Sequence, residues 1–135
     1  MLNKSLKQII TSHEFPHRFL VYFASQCSKD ACIKANWTDA RSLKAIEIAE
    51  RFGNGEEFSM EELKRVHAAA IDARSTASTS YASASFFAAT AISCAISHSY
   101  SIGYCSSLAD TYKPLLLDLI EKRLTKLERL IILGV

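Results

Sequence analysis

Between Arg74 and Asp110 the chain runs for 35 residues without one Asp, Glu, Lys or Arg. A stretch that long must be membrane-inserted, disordered or packed, and each alternative implies a different protein. Length alone would carry it across a bilayer. Yet 11 of the 35 residues are Ser and 3 are Thr, His98 lies among them, and no Leu occurs before Leu108. That is too little strongly apolar material for insertion. Disorder is opposed by Tyr81, Phe86, Phe87, Ile92, Ile96, Tyr100, Ile102 and Tyr104, bulk that disordered tracts lack. Small residues advance by three or four at Ala70, Ala73, Ala77, Ser80, Ala84, Ala88, Ala91 and Ala95, which makes one narrow helical stripe. The stretch therefore predicts a central helix that other helices approach closely, its hydroxyls returned to carbonyls of the preceding turn. Its weakest point is STASTS, Ser75 to Ser80, where residues that favour caps and turns crowd together. Gly103 offers a kink or a close contact near the end.

The flanks read as helices too. Residues 2 to 12 carry Leu2, Leu6, Ile9 and Ile10 on one side, and Pro16 ends or restarts that helix. From His17 to about Lys34, the positions Phe19, Leu20, Phe23, Ala24, Cys27, Ala31 and Cys32 keep a 3.6-residue rhythm. Thr38-Asp39 is an N-cap for a helix running to Phe52, with Leu43, Ile46, Ile48 and Ala49 apolar, stopped by Gly53-Asn54-Gly55. Ser59 with Glu62 has the spacing of a capping box. After Lys113-Pro114 a last helix places Leu117, Ile120, Leu124, Leu127 and Ile131 at three and four spacing, the positions of a coiled-coil seam. Leu115, Leu116, Leu119, Leu130 and Ile132 widen that face. Either it covers the bundle core, or residues 115–133 pair with a second copy. No alternating strand pattern occurs, and 135 residues suit one domain. The expectation is an all-α bundle of five or six helices spanning residues 1–135.

Charge excludes little: 16 Lys and Arg against 14 Asp and Glu leave +2, neither a basic nucleic-acid surface nor an acidic mimic. MLNKSLKQIITSHEF holds no apolar run suited to a signal peptide. The reading is cytosolic, with the four Cys as reduced thiols.

Candidate chemistry is sparse. His13-Glu14-Phe15-Pro16-His17 fits the H-E-x-x-H zinc pattern, but Pro16 interrupts the helical turn both imidazoles would need to share. Cys27, Cys32, Cys94 and Cys105 form no C-x-x-C pair. Cys94 and Cys105 stand about three turns apart if one helix carries both. Cys94 and His98 have the spacing of a nucleophile and base, without a third orienting group. No catalytic residue, metal or cofactor is assigned. His67 and His98 sit in alanine-rich helix, as satisfied core imidazoles or as functional groups. Lys122, Arg123, Lys126 and Arg129 mix with Glu121 and Glu128 on one surface, without the interleaved aromatics of a nucleic-acid track. Asp39, Arg41 and Glu47 could hold the loop to the bundle or face a partner. Trp37, in a turn, could pack on the bundle or anchor an interface.

Four stretches, taken in order, resemble a family of small helical immunity proteins of bacterial toxin systems, the Imm5-like group. They are YFASQCSKDA (22–31), DARSLKAIEIAERFGNGE (39–56), HAAAIDARSTAS (67–78) and ISHSYSIGYCSSLA (96–109). The similarity covers roughly residues 22–109. It departs at Ser42, where the family has proline, and in the C-terminal leucine helix, which has no counterpart. The resemblance implies a protein that binds and inhibits a toxin, nuclease or defence enzyme. The candidate partner-binding or structural polar residues, read from their positions in the chain, are Trp37, Asp39, Arg41, Glu47, His67, Arg74 and His98. The rival expectation is a small nucleic-acid-binding accessory protein.

Overall fold

The computed structural model describes residues 5–12 and 14–133. Among them, every regular element is helical. A first short helix, α1 (Leu6–Thr11), starts at a capping box in which the Ser5 hydroxyl accepts from the Gln8 N–H and the Gln8 side chain accepts from the Ser5 N–H. It is followed by α2 (His17–Ala35), α3 (Ala40–Gly53) and α4 (Met60–Thr76). The cap assignments hold: Asp39 accepts from the Arg41 N–H, and Ser59 from the Glu62 N–H. Leu2, expected on the first helix, and His13 lie outside the described residues.

The uncharged stretch is the centre of the molecule, in three pieces rather than one. α4 ends at Thr76, a 3-10 turn covers Thr79–Tyr81, α5 spans Ala82–Ile96, and α6 spans His98–Leu108. The expected break at STASTS is present. A second break at Ser97 was not anticipated: Ser97 leaves helical geometry and caps α6 by accepting from the Tyr100 N–H. Gly103 is not the kink; it sits inside α6 with open space where a Cβ would go.

α5 packs against α2, α3, α4 and α6 at once. Ala84, Ala88, Ala91, Ala95 and, from α4, Ala70 and Ala73 are buried as the stripe requires, whereas Ser80 is exposed in the break. The hydroxyls behave as expected on helices: Ser85 donates to the Ala82 carbonyl, Thr90 to those of Phe86 and Phe87, and Ser93 to that of Ala89. Thr79–Ile96 has the length and composition of a membrane span, and half of it is buried inside the bundle.

The count of five or six helices is corrected to eight α-helices among the described residues. Part of the excess arises at the C-terminus, where the single leucine helix is two, α7 (Lys113–Arg123) and α8 (Lys126–Leu133). Thr125 and Glu128 form a reciprocal capping pair at the joint, the hydroxyl accepting from the Glu128 N–H and the carboxylate from the Thr125 N–H. The joint divides the anticipated seam. Ile120 and Leu124 are buried, while Leu117, Leu127 and Ile131 face outward.

The glycine that permits a close approach is Gly53. A Cβ there would lie 2.7 Å from the Tyr22 Cβ and 2.9 Å from its Cα, so α2 and α3 touch by backbone at that point. Gly53→Ala is expected to destabilise the fold by about 1–3 kcal/mol through overpacking. Gly103→Ala should stabilise it by about 1 kcal/mol, since an exposed helix interior favours Ala over Gly. Urea denaturation of both variants checks the opposite signs.

Candidate functional site

The seven residues singled out in the sequence separate into two regions. The first is a groove at the C-terminal end of α2. Asn36 ends that helix in the left-handed conformation (φ 57), which Asn tolerates better than most residues. The reversal lets the Trp37 N–H donate to the Cys32 carbonyl at 2.9 Å. The indole N–H then donates to the Ser42 hydroxyl at 2.8 Å, and the ring lies against Tyr81 at 5.0 Å. Trp37 thus packs on the bundle and also walls a groove of about 680 Å³ between α2 and α3. Ile33, Leu43 and Ile46 supply the apolar lining, with Lys29, Glu47 and Glu50 at the polar edge. Ile33 is 78% exposed and Leu43 43%. The thiol of Cys32, also in the lining, is pushed up to about 11 by burial, which favours its protonated form.

Asp39 and Arg41 form an ion pair beside this groove. Arg41 donates through Nη2 to Asp39 Oδ2 at 2.8 Å and through Nε to Oδ1 at 3.1 Å, and reaches the Thr76 hydroxyl at 3.3 Å. That last bond ties the start of α3 to the end of α4. Glu47 is not part of this network: it pairs with Lys44 at 3.3 Å and Arg51 at 3.8 Å along α3.

The second region brings together α4, α5 and α6. Arg74 lies with its guanidinium 4.8 Å from the Phe86 ring centre, a cation–π contact. His67 lines a hollow of about 360 Å³ with Lys64, Ser93, Ile96, Ser97 and Tyr100. Burial holds the His67 imidazole below its ordinary value, favouring the neutral form. His98 sits on the first turn of α6, with its ring 4.7 Å from that of His17. His17 Nε2 lies 2.7 Å from the Cys94 carbonyl; a carbonyl only accepts, so the proton is on Nε2. His17 therefore fastens the start of α2 to α5. Its H-E-x-x-H companion His13 lies outside the described residues.

The Ser97 break also changes the thiol geometry. Cys94 and Cys105 are not held three turns apart on one helix; α6 packs against α5, and the two thiols are close enough to influence each other. Cys105 further donates to the Leu20 carbonyl at 3.3 Å. All four cysteines are buried and unpaired by disulfides, and burial pushes Cys27 and Cys105 well up. The same break moves His98 off the helix that carries Cys94. Sequence reasoning missed Ile33, Phe86 and Tyr100 as surface features, because an apolar residue in a helical pattern reads as core.

No protein-family model matches the chain, and no curated protein or solved structure does. The immunity-family expectation therefore stands on the quoted stretches alone.

The hydrogen bond from Arg41 holds the Asp39 carboxyl below the ordinary carboxylate range. A depressed folded-state value means this contribution to stability is present above about pH 4 and is lost as pH falls through the folded value. Asp39→Ala should cost about 1 kcal/mol at neutral pH, with Asp39→Asn costing less because Asn still caps. Thermal unfolding across pH is expected to show the gap between Asp39→Ala and the parent closing in acid.

Proposed function

We propose that the chain acts without catalysis, as a protein-binding module that inhibits a toxin, nuclease or defence enzyme by stoichiometric occupation. The observation that carries this reading is the α2–α3 groove. Ile33 stands largely in water beside Leu43, with the rigid Trp37 ring behind them. Full burial of one such aliphatic side chain is worth about 1.5–3 kcal/mol, so an apolar partner surface is the natural complement. An apolar floor, an aromatic wall and a charged edge are the anatomy of a binding patch with a central anchor. The resemblance to immunity proteins supports inhibition as the kind of binding.

Self-association belongs to the same reading. Leu127, Leu130 and Ile131 are all more than half exposed on α8, a surface through which residues 115–133 would meet a second copy. A nucleic-acid role has less support from the C-terminal cations. Lys122 pairs with Asp118, Arg123 covers the Tyr22 ring and donates to Asn54, and Arg129 donates to the Glu121 carbonyl.

Affinity capture of the tagged full chain from nuclease-treated extract of its native cells is the test. One protein recovered near one-to-one is expected, weakened about tenfold or more by Ile33→Asp with Leu43→Asp while the melting temperature is unchanged. Recovery of nucleic acid alone from untreated extract, with nothing retained after digestion, would sink the proposal.

A further inference from the structure

We infer that the face shared by α4, α5 and α6 is a second docking surface, and that its occupant is an acidic protein segment carrying an apolar side chain between its carboxylates. Lys64, His67, Ile71 and Arg74 follow one another by three or four residues and so share one face of α4. Among the described residues, neither Lys64 nor Arg74 has a carboxylate within ion-pair distance, whereas Arg65 on the adjacent face holds Glu61. Both cations therefore face outward outside any ion pair among those residues, while Glu61, one turn before Lys64, lies 3.9 Å from Arg65. Between and beside them lie exposed rings: Phe86 is 37% exposed under the Arg74 guanidinium, and Tyr100 is 41% exposed. Tyr100 stacks on Tyr104 at 6.0 Å, and Tyr104 meets Phe86 edge-on at 6.4 Å. The strip of rings is held in place from both helices, so little order remains to be imposed on binding.

The hollow bounded by Lys64, His67, Ile96 and Tyr100 accepts an apolar side chain. Lys64 and Arg74 are ten residues apart on the helix, about 15 Å, a span that four or five residues of extended chain cover. Charge complementarity thus selects carboxylates on either side of one apolar anchor. Single-stranded nucleic acid fits less well. The ring faces that would stack bases are engaged, Phe86 by Arg74 and Tyr100 by Tyr104, and two cations are few for a phosphate track.

The probe is the peptide GEESLSEEG, acetylated and amidated, titrated into the ¹⁵N-labelled full chain. Amide shifts are expected at Lys64, His67, Arg74, Ser97 and Tyr100, with affinity falling as salt rises. The glutamine peptide GQQSLSQQG and the double variant K64E with R74E should each weaken binding about tenfold or more. The charge-swapped peptide GKKSLSKKG should regain binding to that double variant, which separates lost charge from lost fold. The groove substitutions Ile33→Asp and Leu43→Asp should leave peptide binding unchanged, so this surface and the groove stand or fall separately. Absence of shifts up to millimolar peptide would overturn the inference, as would equal binding of the glutamine peptide or shifts confined to the α2–α3 groove. Tighter binding of a twelve-residue oligothymidylate to the same residues would replace it with nucleic-acid recognition.

Discussion

Everything in this bundle depends on how closely helices can approach α5. A helix wrapped by four others cannot carry large side chains on every side without pushing them apart, and close packing leaves no voids to absorb the misfit. Alanines at 84, 88, 91 and 95 solve the spacing, and the buried hydroxyls of Ser85 and Thr90 solve the polarity by bonding within their own helix. Ser28 does the same from α2, and its hydroxyl lies within hydrogen-bond reach of both the Ala24 carbonyl and the Phe87 carbonyl of α5. A buried hydroxyl with no acceptor would cost on the order of 1–3 kcal/mol. An uncharged, serine-rich stretch is thus compatible with a core.

The two candidate surfaces follow from where these close contacts end. α2 and α3 approach by backbone at Gly53 and Tyr22 but separate toward Asn36, where the chain reverses and the groove opens. A small second core of Cys32, Ile46, Ala84 and Ala88, with Trp37 packed on it, floors that opening. On the other side, the breaks at Ala77–Ser78 and Ser97 end α4 and start α6 beside α5. There the aromatic rings at 86, 100 and 104 contact one another at the surface.

Helix starts at Asp39 and Ser59 were legible because each side chain accepts from an N–H of the first turn, and the one at Pro16 because the ring fixes φ and cannot sit inside a helix. Ser97 and the Thr125–Glu128 pair carry the same capping signature inside patterns that mask it. Apolar periodicity at Leu117, Ile120, Leu124, Leu127 and Ile131 suggested one continuous seam, because spacing alone does not register a capping pair that stops the helix. Gly103 and Gly53 were equally visible as glycines. Only the neighbour that a Cβ would strike distinguishes them.

The sequence by itself determined the all-helical class, the central place of the uncharged stretch, its break at STASTS and the local hydrogen bonding of its hydroxyls. These depend on residues within one or two turns of each other. The tertiary structure decided what long-range packing alone can set: that Cys94 meets Cys105, that His17 fastens α2 to α5, and that Asp39 and Arg41 act apart from Glu47. It also decided that Ile33 and Tyr100 face outward. An apolar side chain in a helical pattern is the same letter whether a neighbour covers it or not, and the neighbour comes from elsewhere in the chain.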